Sequence, residues 1–375
     1  MRKISDYILW ASLFGVPFFH FWRGNSEEEP IRFAKIAIVI IIAGFCLGSL
    51  LWKKVSPGLG VGVGYVVLHT LWSGFGELQL SVLASVLASV MVGYAIASRV
   101  DGPKKMLSII AITGYCQAIW GIVQHLGMDP FFVYIESHDI NIPVGTFGQQ
   151  TLLGPYLASA IIASLYLRGA YLLLIPLNLV VIFFVNSSFT FLALAAGVAF
   201  WVYQFLTKKQ IIAVVAFFAT AGAFLYLVRL DPLYNLYLDN GRFEMWRQIF
   251  DAIINHFSFY QQAVGFGGGS FINMFHKIQS DFLLRQAGKF YQAHNMWLQT
   301  AWEFGFIGVA IITYMKTEVV RAINTSSNVV MAWSAILLVL ITNCVGNFPE
   351  RLQPTGMLII TAYIIIMTNR KRLVE

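Results

Sequence analysis

Two residues, Arg242 and His294, stand where their side chains could do chemistry. Arg242 follows Asp239-Asn240-Gly241 at the predicted start of an amphipathic helix. A helix start presents free N–H groups and partial positive charge, so a cation there is unfavourable unless an anion joins it. Free N–H groups together with a guanidinium form a phosphate cradle. The competing reading pairs Arg242 with Asp239 or lets it snorkel to lipid phosphate. His294, with Asn295, opens a second predicted helix. The helix dipole disfavours imidazolium there, so His294 is expected to be neutral at physiological pH and able to accept a proton. The competing reading is a structural or merely solvated interfacial histidine.

Other residues qualify these two. Phe243, Trp246, Phe250, Ile253, Ile254 and Phe257 recur at helical spacing, with Glu244, Arg247, Gln248, Asp251 and Asn255 on the other side. Such a helix lies in a membrane interface or packs against a helical bundle. Gly265-Phe266-Gly267-Gly268-Gly269-Ser270-Phe271 lacks the Gly-Lys-Ser/Thr ending of a nucleotide phosphate loop. It reads as a tight loop whose N–H groups, that of Gly267 among them, could still help bind an anion. Glu303 is the one acid deep in a predicted membrane span, and such residues are functional or paired. It lies nine positions from His294, about 13 Å deeper along a regular helix, which excludes a direct dyad. Glu27, Glu28 and Glu29 form a short acidic run, read as solvated rather than as a cation site. Cys46, Cys116 and Cys344 all fall in apolar stretches, so neither a disulfide framework nor a metal site is expected.

The elements that hold these residues follow from composition. Hydrophobic residues make up 58% of the chain and charged residues 11%, against roughly 25% charged in soluble domains. The expected fold is an all-α, polytopic transmembrane bundle of about twelve helices with one large extracytoplasmic loop containing amphipathic helices. Spans are predicted near 7–22, 33–52, 58–75, 78–98, 105–126, 150–167, 170–186, 188–206, 210–228, 293–315, 329–347 and 353–369. The domains are therefore 1–228 with nine helices, 229–292 as the large loop, and 293–375 with three more helices. With the N-terminus inside, the inner segments hold fifteen Lys and Arg, among them Lys316 and Arg321, while the short outer loops hold only Arg23, Arg32 and Arg351. That asymmetry puts both termini in the cytoplasm and the 229–292 loop outside. The net charge of +7 sits between the apolar stretches, which suits lipid head groups rather than nucleic acid. Nucleotides are cytoplasmic, so a reaction on the outer side must use a substrate already activated and already in the membrane.

Three stretches resemble the O-antigen ligase and polymerase superfamily of bacterial envelope polysaccharide assembly. They are Gly145–Gln150 running into Leu152-Leu153-Gly154-Pro155-Tyr156; Gly241-Arg242 with Trp246, Gly265-Phe266-Gly267 and Phe271; and Ala293-His294-Asn295 with Leu298-Gln299, Glu303, Gly305 and Gly308. The resemblance covers roughly residues 140–310. It implies a glycosyltransferase of the bacterial cytoplasmic membrane that moves a glycan from undecaprenyl diphosphate to a hydroxyl of an acceptor lipid, glycan or protein. Neither metal nor other cofactor is implied. Arg242 would neutralise the diphosphate and His294 would take the acceptor proton. Gln149, Arg247, Arg285, Asn295, Gln299 and Gly267 would bind substrate, and Trp246 and Glu303 would be structural or without an assigned role. One departure stands out: where the family has a Ser-Arg pair at the head of a mid-chain helix, this chain reads Ser187-Ser188-Phe189.

Two other readings remain open from sequence. A flippase or exporter of lipid-linked saccharides would show internal repeats and midplane charges, whereas here polar groups gather at the outer ends. A catalytically impaired scaffold of the same pathway is kept open by the missing arginine.

Overall fold

The computed structural model describes residues 56–73, 77–99, 101–128, 142–147, 150–185, 187–203, 242–280, 293–323, 327–344 and 354–371, and all secondary structure among them is helical. The spans expected at 7–22, 33–52 and 210–228, the Glu27–Glu29 run, Cys46, Gln149 and Arg285 lie outside the described residues.

The bundle is built from α1 (Pro57–Ser73), α2 (Glu77–Ala97), α3 (Gly102–His125), α4 (Gln150–Leu167), α5 (Ile175–Val185) and α6 (Ser188–Tyr203), and later from α10 (Met296–Ile323), α11 (Asn328–Asn343) and α12 (Pro354–Lys371). Among the described residues, Gly102–His125 is long and apolar enough to cross a membrane by length and composition, and most of the others are shorter apolar helices. The expected 170–186 span is a six-residue 3-10 turn, Gly169–Leu174, leading into α5. Together they rise about 28 Å. A core of small and branched residues joins these helices, including Ile96, Leu107, Leu157, Ile162, Ile182, Trp333, Ile336 and Ile365. Small residues set the closest approaches. A Cβ on Gly114 would meet that of Ala160 at 2.3 Å, and one on Gly154 would meet the Thr190 hydroxyl at 2.3 Å.

A second, smaller core lies at one end of the bundle. Helix α7 (Arg242–Asp251) continues into a π turn, Ala252–His256. Helix α8 (Phe259–Val264) follows, capped by Ser258 in a reciprocal capping box with Gln261, then α9 (Ser270–Met274). Trp302 is the centre: Phe257, Phe266, Phe271 and Phe275 all lie with ring centroids 4.9–6.0 Å from it. Met245, Ile249, Ala252 and Ile253 complete that core.

The expected 293–315 span is not one straight helix. Gly305 has φ 64 and ψ −172 within α10. In a continuous helix Trp297 and Lys316, nineteen residues apart, would be separated by about 28 Å. Instead the Lys316 ammonium sits 3.6 Å from the Trp297 ring centroid. The two arms, residues 296–304 and 306–323, therefore fold back beside each other. Gly308 lies at their crossing, where a Cβ would come within 3.3 Å of the Thr300 methyl. The long arm, about 27 Å by rise, has the length of a span; the short arm, about 13 Å, does not and belongs to the second core. Lys316, expected among the inner charges, is thus brought to the short arm.

Candidate active site

Breaking α10 at Gly305 frees carbonyl groups that a continuous helix would satisfy itself. The loop after α8 takes two of them. Phe266 N donates to the Trp302 carbonyl at 3.1 Å and Gly267 N to the Glu303 carbonyl at 2.9 Å. Backbone approaches backbone so closely that side chains are excluded. A Cβ on Gly265 would fall 2.4 Å from the Glu303 carbonyl carbon, and one on Gly305 would fall 2.2 Å from the Ala263 oxygen. Gly265, Gly267 and Gly269 all have positive φ. The glycine-rich stretch is therefore a docking loop. The N–H of Gly267, expected to help bind an anion, is given to Glu303.

The short arm carries His294 at its head. Asn295 caps it, its Oδ1 accepting from Trp297 N at 3.0 Å and Leu298 N at 3.1 Å, and Met296 N donates to the Cys344 carbonyl at 3.0 Å. Asn295, expected to orient substrate, has its carboxamide oxygen in the cap. Gln299 is buried and reaches both ways: Oε1 accepts from Ala293 N at 3.1 Å, and Nε2 donates to Glu303 Oε1 at 3.1 Å. Gln299, also expected to contact substrate, is a strut between the His294 segment and Glu303. Glu303 thus has a partner one turn away, and Gln299 links it to the His294 segment.

His294 itself has φ 47. Left-handed backbone is uncommon outside glycine and costs on the order of 1 kcal/mol, although histidine tolerates it better than most residues. Strain of this kind gathers at functional sites. Trp246, one turn beyond Arg242, donates its Nε1–H to the Ala293 carbonyl at 2.7 Å. That bond ties the head of α7 to the His294 segment and brings the two candidates together. Burial first, and the nearby Arg242 guanidinium second, hold the His294 imidazole well below its usual range, at about 4. The ring is neutral, as expected from sequence, but the cause differs. Desolvation and Arg242 do what the helix dipole was expected to do.

Arg242 also lies over the Phe189 ring, its Cζ 5.9 Å from the centroid. Phe189 stands at the head of α6, where the resemblance calls for an arginine. The departure therefore falls inside this site. Arg247 is elsewhere: it is exposed and forms a bidentate pair with Glu244 at 2.8 and 2.6 Å, which keeps that carboxyl below its usual range. The structure does not bring it to His294.

The amphipathic helix splits its apolar band. Met245, Ile249, Ala252 and Ile253 turn inward, whereas Phe243, Phe250 and Ile254 stay exposed. The inward face differs from the aromatic band expected from the sequence, because Met245 and Ile249 belong to it and the π turn shifts the register after Asp251. Sequence reasoning also missed Gln124. Its Oε1 accepts from Val144 N at 3.0 Å and Gly145 N at 2.7 Å, and its Nε2 donates to the Gly145 carbonyl at 3.1 Å. It thereby pins the Gly145–Phe147 turn that leads to α4.

No curated protein matches this chain. Residues 170–313, which contain Phe189, Arg242, the docking loop, His294 and the Gly305 break, match the family model described as O-antigen ligase, a match over part of the chain that supports the O-antigen ligase superfamily.

Proposed function

We propose that the chain transfers a glycan from undecaprenyl diphosphate to an acceptor hydroxyl at the outer face of the bacterial cytoplasmic membrane, without a metal and with inversion at the anomeric carbon. The match of residues 170–313 to the O-antigen ligase family model supports ligase-type activity and membrane embedding. The observation that carries the finer reading is a half-buried neutral imidazole beside a guanidinium, the two held together by the Trp246–Ala293 hydrogen bond.

Arg242 takes the diphosphate. As the bond from the anomeric carbon to the diphosphate oxygen breaks, negative charge grows on that oxygen and the guanidinium stabilises it. The acceptor oxygen forms the new glycosidic bond from the opposite face, and His294 takes its proton. General-base assistance of this kind contributes roughly 10²–10⁴-fold. A base near 4 is weak at neutral pH, but the bound diphosphate offsets the charge of Arg242, so donor binding raises the basicity of His294. The substrate completes its own catalyst.

The test is glycan transfer in membranes of a deletion strain supplied with His294→Ala or Arg242→Ala. Each variant should lose transfer by about 10²-fold or more while protein levels hold. Wild-type transfer by His294→Ala would remove the proton-acceptor role. Carrier movement across reconstituted vesicles without glycan-bond formation would instead support a transporter.

A further inference from the structure

The reaction proposed above leaves a buried histidine and a tyrosine of α1 unused. His69 is 8% exposed, and its Nε2 lies 2.6 Å from the Val264 carbonyl, to which it must donate. The Tyr65 hydroxyl donates to the Phe304 carbonyl at 2.7 Å. These two carbonyls belong to the two backbone stretches that meet at the Gly265–Gly305 contact. The rings of Tyr65, His69 and Phe304 pack with centroids 5.1–6.4 Å apart. At its other end α1 is hooked to the long arm of α10, where Gly58 N donates to Glu318 Oε2 at 3.1 Å and Tyr363 donates to the same oxygen. Helix α1 therefore lies antiparallel to the long arm as a fixed rail and holds the break through Tyr65 and His69.

We infer that Tyr65 and His69 are positioning residues for the site. By holding the carbonyls of Phe304 and Val264 they set the angle at which the short arm leaves the long one, and so the placement of His294 against Arg242. The path is continuous. His69 holds Val264, the following residues Phe266 and Gly267 hold the Trp302 and Glu303 carbonyls, Glu303 holds Gln299, and Gln299 holds the Ala293 N–H. Releasing either α1 contact lets the arm swing, so His294 loses its burial and its nearness to Arg242.

This inference rests on the proposed transfer reaction, and its test keeps the two separable. Tyr65→Phe deletes one hydroxyl and keeps the ring. His69→Gln keeps an N–H donor, whereas His69→Leu does not. Two quantities are read in the full-length protein: hydrogen exchange of the 264–272 peptide, and transfer from a radiolabelled undecaprenyl-diphosphate-linked glycan in membranes. The expected result has four parts. Exchange quickens at least tenfold in Tyr65→Phe and His69→Leu. Their kcat falls about tenfold with KM unchanged. The acid limb of their kcat/KM profile moves up from near 4. Exchange and rate recover in His69→Gln. Unchanged exchange would overturn the inference, and so would quickened exchange with an unaltered kcat and pH limb. If His294→Ala kept full transfer, the reaction would fall while the exchange arm still judged the clamp.

Discussion

Replacing Gly305 by alanine sets the folded-back arm of α10 against a straight helix. At φ 64 and ψ −172, a residue with a Cβ costs about 1–3 kcal/mol, since only glycine populates that region readily. The new methyl would also stand 2.2 Å from the Ala263 oxygen, 2.3 Å from the Ala263 carbonyl carbon and 2.5 Å from Val264 N. These are backbone atoms that cannot rotate away, and overpacking adds about 1–3 kcal/mol more. A continuous helix escapes both costs, because alanine is the best helix former. It would also carry residue 297 away from residue 316, from contact to about 28 Å. The assay is a cysteine pair, Trp297→Cys with Lys316→Cys, in a chain whose Cys46, Cys116 and Cys344 are replaced by serine, treated with a short bis-maleimide. The chain with Gly305 should cross-link within the molecule, and Gly305→Ala should lose both the cross-link and glycan transfer. Equal cross-linking and full transfer by Gly305→Ala would refute the reasoning.

Other expectations follow from the same geometry. The acid limb of kcat/KM, which reports the free enzyme, should lie near 4, and that of kcat should lie higher once the diphosphate offsets Arg242. Because the folded imidazole is depressed from 6.5 to about 4, the unfolded chain binds the proton first as pH falls. Folding stability should therefore drop by about 3 kcal/mol between those values, a slope that His294→Asn should abolish in thermal unfolding scans. Phe189→Arg should add a second guanidinium beside Arg242 and lower the KM for the lipid-linked donor about tenfold, or about 1.5 kcal/mol; an unchanged KM in donor titrations would argue against a diphosphate there. Trp246→Phe keeps an aromatic ring but removes the bond to the Ala293 carbonyl, so kcat should fall by about fivefold, in line with about 1 kcal/mol for one hydrogen bond, with little change in Tm. Gln299→Leu removes the side-chain acceptor of the Ala293 N–H and one donor to Glu303 and should cost about 1–3 kcal/mol in denaturant unfolding.

The bundle was legible in the sequence where apolar runs of span length end at charged or turn residues, as in α1 to α4, α11 and α12. Of the candidate site, residue type was legible: Arg242 and His294, each at a predicted helix start, lie near enough for the guanidinium to act on the imidazole. What was not legible depends on contacts between distant segments. A single Gly305 in an apolar run reads as tolerated within a helix, and only the docking of Gly265 against it makes the break. Gln299 and Glu303 inside the expected 293–315 span were the available signal, because a buried polar pair in the first turns of a span suits a protein core better than lipid. Gly267, Asn295 and Gln299 suit substrate contacts by type, yet the Gly267 N–H, the Asn295 carboxamide oxygen and the Gln299 carboxamide serve the docking loop, the cap and the strut. The inward face of α7 was hidden because Phe243 and Phe250 outrank Met245 and Ile249 in apolar bulk but point outward.

The most direct measurement of the central claim, that Arg242 and His294 act on one sugar diphosphate, is a double-mutant comparison in glycan transfer. Residues that work as a unit lose activity non-additively. Arg242→Ala and His294→Ala should each abolish most transfer, and the double variant should be little worse than the poorer single one. Losses that multiply in full would show two groups acting independently, and wild-type transfer by either single variant would contradict the account outright.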